Sequence, residues 1–460
     1  MYAYIRNFKI VLALATSVAW NPVSASEIES LTTPGGLPFL HIQDDQYENV
    51  VLQVNWPYNW SFDTALNPKV PMLSARAVLN GPPEGVEDNV VGQRLRDMQT
   101  QSTLIATSES VTGALVTPAG NFEEIARLVN SVLATPAFDP DLANDERRNL
   151  LDQSSQLRQG TDAAVGELAR NLIMHDHPVR TYFSSSAEIE SLIETATLDE
   201  LKRFYFETVT RSNATIVLAS PFASGRAGIL LDELFDGLPQ GEAIESDESA
   251  IDFPDGITVV LHDPDAERSN LTLAGILPPV SQGGEFEDLI ALAVLGQGAT
   301  SELYETLRPE LGDSYEFTAN ALALSSEFRI LQISGVVDTD KLEFARQAIR
   351  QKYEEFRGNG LSSSIDGIKR RSSAAMRINT ENPRILVPLV MENVLNGFPA
   401  AKALELPDEI DAISREGINA RMLDVFPPVE DLLTVIVTSD PDLVPGACVV
   451  ETPEEYRACL

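Results

Sequence analysis

GQGATSELYETLRPELGDSYEF, residues 296–317, reads as a helix, a tight turn and the start of a strand. Thr300 or Ser301 can cap a helix N-terminus, Glu302 suits its positive end, and Leu303, Tyr304 and Leu307 recur at helical spacing. Pro309 disfavours helical geometry at the residue before it, which predicts a helix end at Arg308. Gly312 permits a tight turn, and the alternation of Tyr315 with Phe317 predicts a strand. Arg308 and Tyr315 then stand at the two lips of one turn, where a guanidinium fork and a phenol hydroxyl can hold a peptide carbonyl or carboxylate. A solvated helix-end charge and a half-buried strand residue suit the same spacing, so both readings stand.

Around this stretch there is room for two domains, since 460 residues of which 43% are hydrophobic can bury a core in each. With 33 basic against 69 acidic residues the formal charge is −36, which disfavours nucleic acid or an anionic membrane surface as partner. Cationic peptides are attracted in a salt-dependent way, and the same charge keeps the chain soluble. Gly-x-Ser-x-Gly is absent, and Gly296-Gln297-Gly298 lacks the rest of a dinucleotide-binding pattern.

Arg6 and Lys9 precede an apolar run from Ile10 to Ala19, and Val23-Ser24-Ala25 offers a small-residue cleavage site. Residues 1–25 therefore read as a secretory signal, and the expected location is periplasmic or secreted. The run has about half of the roughly 20 apolar residues that a membrane helix needs, and no later segment reads as a membrane span. In an exported protein a disulfide between Cys448 and Cys459 can close the tail, whereas two cysteines without histidine nearby make a poor zinc site.

Strand-like alternation from Pro38 to Trp56, helical segments over 69–79, 90–98, 121–134 and 141–156, and strands over 102–110 and 111–118 predict a mixed α and β chain. A helix from Leu198 is expected behind Thr197, with Glu200 completing a capping box, and a strand follows to Ala219. The order then repeats: Ala126 matches Ala345 and Ser220 matches Ser439, each pair 219 positions apart, with Leu201 and Ile418 at nearly the same offset. Gly237–Gly256, rich in proline, glycine and acidic residues, reads as a linker. This predicts an N-terminal domain over 26–236 and a C-terminal domain over 257–460.

The stretch 296–317 resembles the segment that carries an arginine/tyrosine pair in the second domain of the pitrilysin/insulinase family of zinc metallopeptidases. Arg308 and Tyr315 keep the family's separation of seven, although Leu311, Gly312 and Asp313 replace what is often a basic residue followed by Gly-Leu. The resemblance extends over nearly the whole mature chain. It implies an α+β fold of two homologous domains, each a mostly antiparallel sheet covered by helices, facing one another as a clamshell.

Active family members carry His-x-x-Glu-His in the first domain, where two histidines hold zinc and the glutamate activates water. The resemblance places Met72, Leu73, Ser74, Ala75 and Arg76 at those positions, and the third ligand near Asp152 and Gln153. Met72, Ala75, Arg76 and Gln153 are degenerate there, so no metal, no cofactor and no catalytic residue is expected in this chain alone. Among the four histidines, His41, His175, His177 and His262, no two have the spacing that puts ligands on one helix face. The resemblance reads the 175–177 segment as packing before a loop.

What the resemblance implies is a non-catalytic subunit of a heteromeric zinc metallopeptidase. Arg308 and Tyr315 would serve as substrate-binding residues, supporting a separate chain that carries the zinc. The alternative is a catalytically inactive peptide-binding or scaffolding protein.

Overall fold

The computed structural model describes residues 27–58, 67–79, 81, 83, 90–157, 161–177, 180, 187–244, 252–312 and 316–460. The residues of the expected signal segment, and Tyr315, lie outside them.

Two six-stranded sheets form the framework. The first contains β1 (Ile28–Thr32), β2 (Pro38–Gln43), β3 (Asn49–Pro57), β4 (Gln101–Ala106), β5 (Ser110–Pro118) and β6 (Thr215–Ser220), in the order β1-β2-β6-β3-β5-β4. The second contains β7 (Thr258–His262), β8 (Arg268–Leu277), β9 (Glu316–Ala323), β10 (Arg329–Asp338), β11 (Leu433–Thr438) and β12 (Cys448–Val450), in the order β12-β7-β11-β8-β10-β9. Five strands of each sheet correspond in order and direction: β2 pairs parallel with β6 as β7 does with β11, and the other three junctions are antiparallel in both. The fold is α+β with two homologous halves. The outer strand differs, because β1 precedes its neighbour antiparallel whereas β12 returns from the C-terminus parallel to β7.

The residues explain the positions of the strands. TIVLAS in β6 and LTVIVT in β11 are almost wholly buried, as strands covered on both faces must be. QSTLIA in β4 alternates between exposed and buried, as an edge strand with one wet face does. Thr197 and Glu200 make the reciprocal bonds of a capping box at the start of helix Leu198–Thr208.

The helices are allotted less simply. One compact unit comprises Met1–Asp152, Ser191–Asp247 and Ala375–Leu406, and the other Gln153–Glu190, Glu248–Ala374 and Pro407–Leu460. Helix Thr161–Ile173, from the first half of the chain, packs on β8 and β11 of the second sheet and buries Leu168, Leu172 and Ile173. Helix Pro383–Leu395, from the second half, packs on β3 and β6 of the first sheet and buries Leu386, Val387, Val390 and Met391. The segment 237–256 thus separates the two sheets in sequence but not the helices that cover them.

Two anchors hold the second unit. Asp288, 1% exposed, accepts from Arg329 at 3.0 Å and from Arg421 at 2.7 and 2.9 Å, tying helix Glu285–Gly296 to β10 and to helix Arg415–Val425. Hydrogen bonding to Asp288 raises the Arg421 pKa above its ordinary value. The tail is closed by the Cys448–Cys459 disulfide, with Cα atoms 5.7 Å apart. Among the described residues no helix is long and apolar enough to cross a membrane.

Candidate functional site

The helix read from the quoted stretch spans Glu302–Leu311. Ser301 caps it, its hydroxyl oxygen accepting from the Tyr304 N–H at 3.3 Å, and Leu303, Leu307 and Leu311 face the core. The expected helix end at Arg308 is corrected: the helix continues through Pro309 to Gly312, whose φ of 70° stops it. Pro309 falls in the last turn, and the Arg308 carbonyl still accepts from the Gly312 N–H at 2.9 Å, so ring strain is confined to a frayed end. Upstream, a Cβ on Gly296 would meet the Ala319 nitrogen at 2.3 Å, so glycine here allows the preceding helix to approach β9.

Glu302 sets the position of this helix. Its buried carboxylate pairs with Lys352 at 2.7 Å and accepts from the Ser362 hydroxyl at 2.6 Å and amide at 3.2 Å. Burial alone would push the carboxyl up, but the Lys352 ammonium and the Ser362 donors outweigh it and hold its pKa below the ordinary value. Arg308, on the exposed face, lays its guanidinium over the Tyr304 ring at 5.2 Å. Of the two residues expected to bind substrate, the structure places Arg308 at an exposed helix end. Tyr315 lies outside the described residues.

In the first unit, Met72, Ala75 and Arg76 lie on helix Val70–Leu79. Ala75 is buried, the adjacent Ser74 donates to the Leu201 carbonyl at 2.9 Å, and Met72 and Arg76 are half-buried. Arg76 Nη1 lies 3.9 Å from Glu146 Oε2, on helix Pro140–Leu157, with side chains 17% and 12% exposed. The carboxylate opposite Arg76 is Glu146, a residue that sequence reasoning did not single out. Glu146 and Gln153, seven apart on this helix, share a face. A thioether, a methyl and a guanidinium are not zinc ligands, and none can take a proton from water, so this locus does not fit the family's metal.

A third group was not read from the sequence at all. His41, fully buried, has Nε2 3.0 Å from Ser220 Oγ and Nδ1 3.4 Å from Ser224 Oγ, and Ser224 donates to Glu29 at 2.7 Å. Ser220 is itself fully buried, so the arrangement is a satisfied polar core and offers no nucleophile to a substrate. Burial depresses the His41 pKa, opposed by the charge of Glu29.

Comparison with known proteins agrees with this geometry. Residues 195–365 match the Peptidase_M16_C family, described as the peptidase M16 inactive domain. No match is found among curated proteins by sequence. The fold is similar to that of a peptidase M16 inactive domain from Pseudomonas fluorescens, with 16% identity, a TM-score of 0.78, and coverage of 89% of this chain and 98% of the other. The periplasmic protease PqqL from Escherichia coli matches with 14% identity and a TM-score of 0.71, over 94% of this chain and 50% of PqqL. A point mutant of the ferredoxin protease FusC, in complex with Arabidopsis ferredoxin, matches with 12% identity and a TM-score of 0.74, over 93% of this chain and 47% of the other. The chain spans about half the length of those two proteases. The chain thus has the fold of M16 peptidase domains, and its segment 195–365 matches the M16 inactive-domain family.

Proposed function

We propose that this chain is the subunit without the catalytic zinc in a two-chain peptidase, exported to the periplasm or secreted, and that it binds peptide for a partner carrying His-x-x-Glu-His and the catalytic zinc. The observation that carries the reading is the contrast between the two loci. Met72, Ala75 and Arg76 can neither hold zinc nor activate water, whereas helix Glu302–Leu311 is anchored through Glu302 and presents Arg308 on an exposed face. A peptide carbonyl or carboxylate is the group that an exposed guanidinium fork suits. The similarity in fold to the periplasmic PqqL and to FusC, seen with a ferredoxin bound, supports an exported protein that handles polypeptides.

The test is co-purification of the native protein followed by mass spectrometry and peptide hydrolysis. A zinc-bearing chain should be recovered, and hydrolysis should require both chains. Peptide cleavage by this chain alone, or recovery of no zinc-bearing chain together with unchanged partner activity, would overturn the proposal.

A further inference from the structure

Independently of the peptidase reading, we propose that His175, Asp176 and Asp252 bind one divalent transition-metal ion of the zinc class, which clips helix Thr161–Ile173 to the segment entering β7. His175 and Asp176 lie in the turn that ends this helix, and Asp252 lies six residues before β7. One ligand atom from each of the three falls within 4.8 Å of the other two. His175 Nε2 is 3.1 Å from Asp176 Oδ2 and 3.9 Å from Asp252 Oδ2. Bonds of about 2.1 Å to a tetrahedral ion put neighbouring ligand atoms about 3.4 Å apart, between those two values.

The imidazole carries the argument beyond a group of surface acids. Its side chain is only 11% exposed, and Nδ1 lies 3.1 Å from the Leu172 carbonyl oxygen, to which it donates. Nε2 thus faces two carboxylates, and a cation held among the three atoms satisfies all of them. Metal-bound histidines are oriented in this way, one ring N–H held by a carbonyl and the other nitrogen on the ion. Arg457 contacts the main-chain carbonyl of His175, with Nη2 3.3 Å away, and so engages the backbone of the residue whose ring faces the carboxylates. One nitrogen and two carboxylate ligands favour zinc or manganese over calcium, which prefers an all-oxygen shell, and water completes the coordination.

The full mature protein, freed of metal with a chelator, should be titrated calorimetrically with zinc, manganese and calcium ions in turn. Zinc should bind once per chain and raise the melting temperature. His175→Ala and Asp252→Asn should each weaken zinc by about tenfold or more and abolish the melting shift, while His177→Ala leaves both unchanged. Asp252 is 83% exposed, so its variant does not depend on core packing. No zinc uptake by the native protein would overturn the proposal. So would uptake unaltered in both variants.

Discussion

Arg76 on helix Val70–Leu79 and Glu146 on helix Pro140–Leu157 face one another at 3.9 Å. The guanidinium balances the charge of the carboxylate. The pair is mostly buried and needs no cofactor.

This pairing sets Glu146 beside Gln153 as a candidate third ligand in a rebuilt metal site. Met72→His combined with Arg76→His should create zinc affinity at this locus, and a further Glu146→Gln change should remove it while Gln153→Ala should not. Zinc uptake measured in a His175→Ala background keeps this locus apart from the one at Asp252. Activity need not return, since Ala75 still lacks a carboxylate and the groups that orient the ligands can have drifted.

Removing the charge at Asp288 should damage the second unit severely. Asp288→Ala leaves Arg329, 2% exposed, without its buried carboxylate, and the expected cost is about 3–5 kcal/mol in urea unfolding. A loss well below about 1 kcal/mol would show that the arginines find other partners.

Acid should weaken the fold through His41. Its folded-state pKa lies below the ordinary value of 6.5, so the unfolded chain binds the proton more readily. Stability is therefore complete above the unfolded pKa and falls as the pH drops from there toward the depressed folded value. His177, also depressed by burial, acts in the same direction. Unfolding free energies measured between about pH 7.5 and 5.5 should decline, and His41→Gln should flatten that slope.

The proposed role in catalysis has its own test in the reconstituted pair. Tyr315→Phe should lower turnover by roughly ten- to a thousandfold if its hydroxyl stabilises charge on the scissile carbonyl. Arg308→Ala should act mainly on substrate affinity. Both variants should still assemble in gel filtration, and kinetics unaltered in both would leave a scaffolding protein.

Much of this architecture is legible along the chain, because strands and helices announce themselves through local periodicity and caps. TIVLAS and LTVIVT mark equivalent buried strands, and Thr197 with Glu200 fixes a helix start to the residue. The chemistry offered by Met72, Ala75 and Arg76 is equally plain, since it needs only their identity. Pairing between distant segments is another matter. That Glu146 meets Arg76, or that Ser224 relays His41 to Glu29, depends on how helices and strands cross, which no periodicity encodes. The stop at Gly312 escapes the sequence for a smaller reason: Pro309 and Gly312 both signal a helix end, and the chain turns at the glycine, whose φ is 70°.

Reciprocal lending of helices between the two halves has a consequence during synthesis. The cover of β3 and β6, residues 383–395, is translated long after β6 is complete at Ser220. At ordinary elongation rates that interval is on the order of 10–30 s, during which one face of a finished sheet waits in water. The nascent first half is then a client for chaperones, and a ribosome stalled before residue 383 would release a product prone to aggregate.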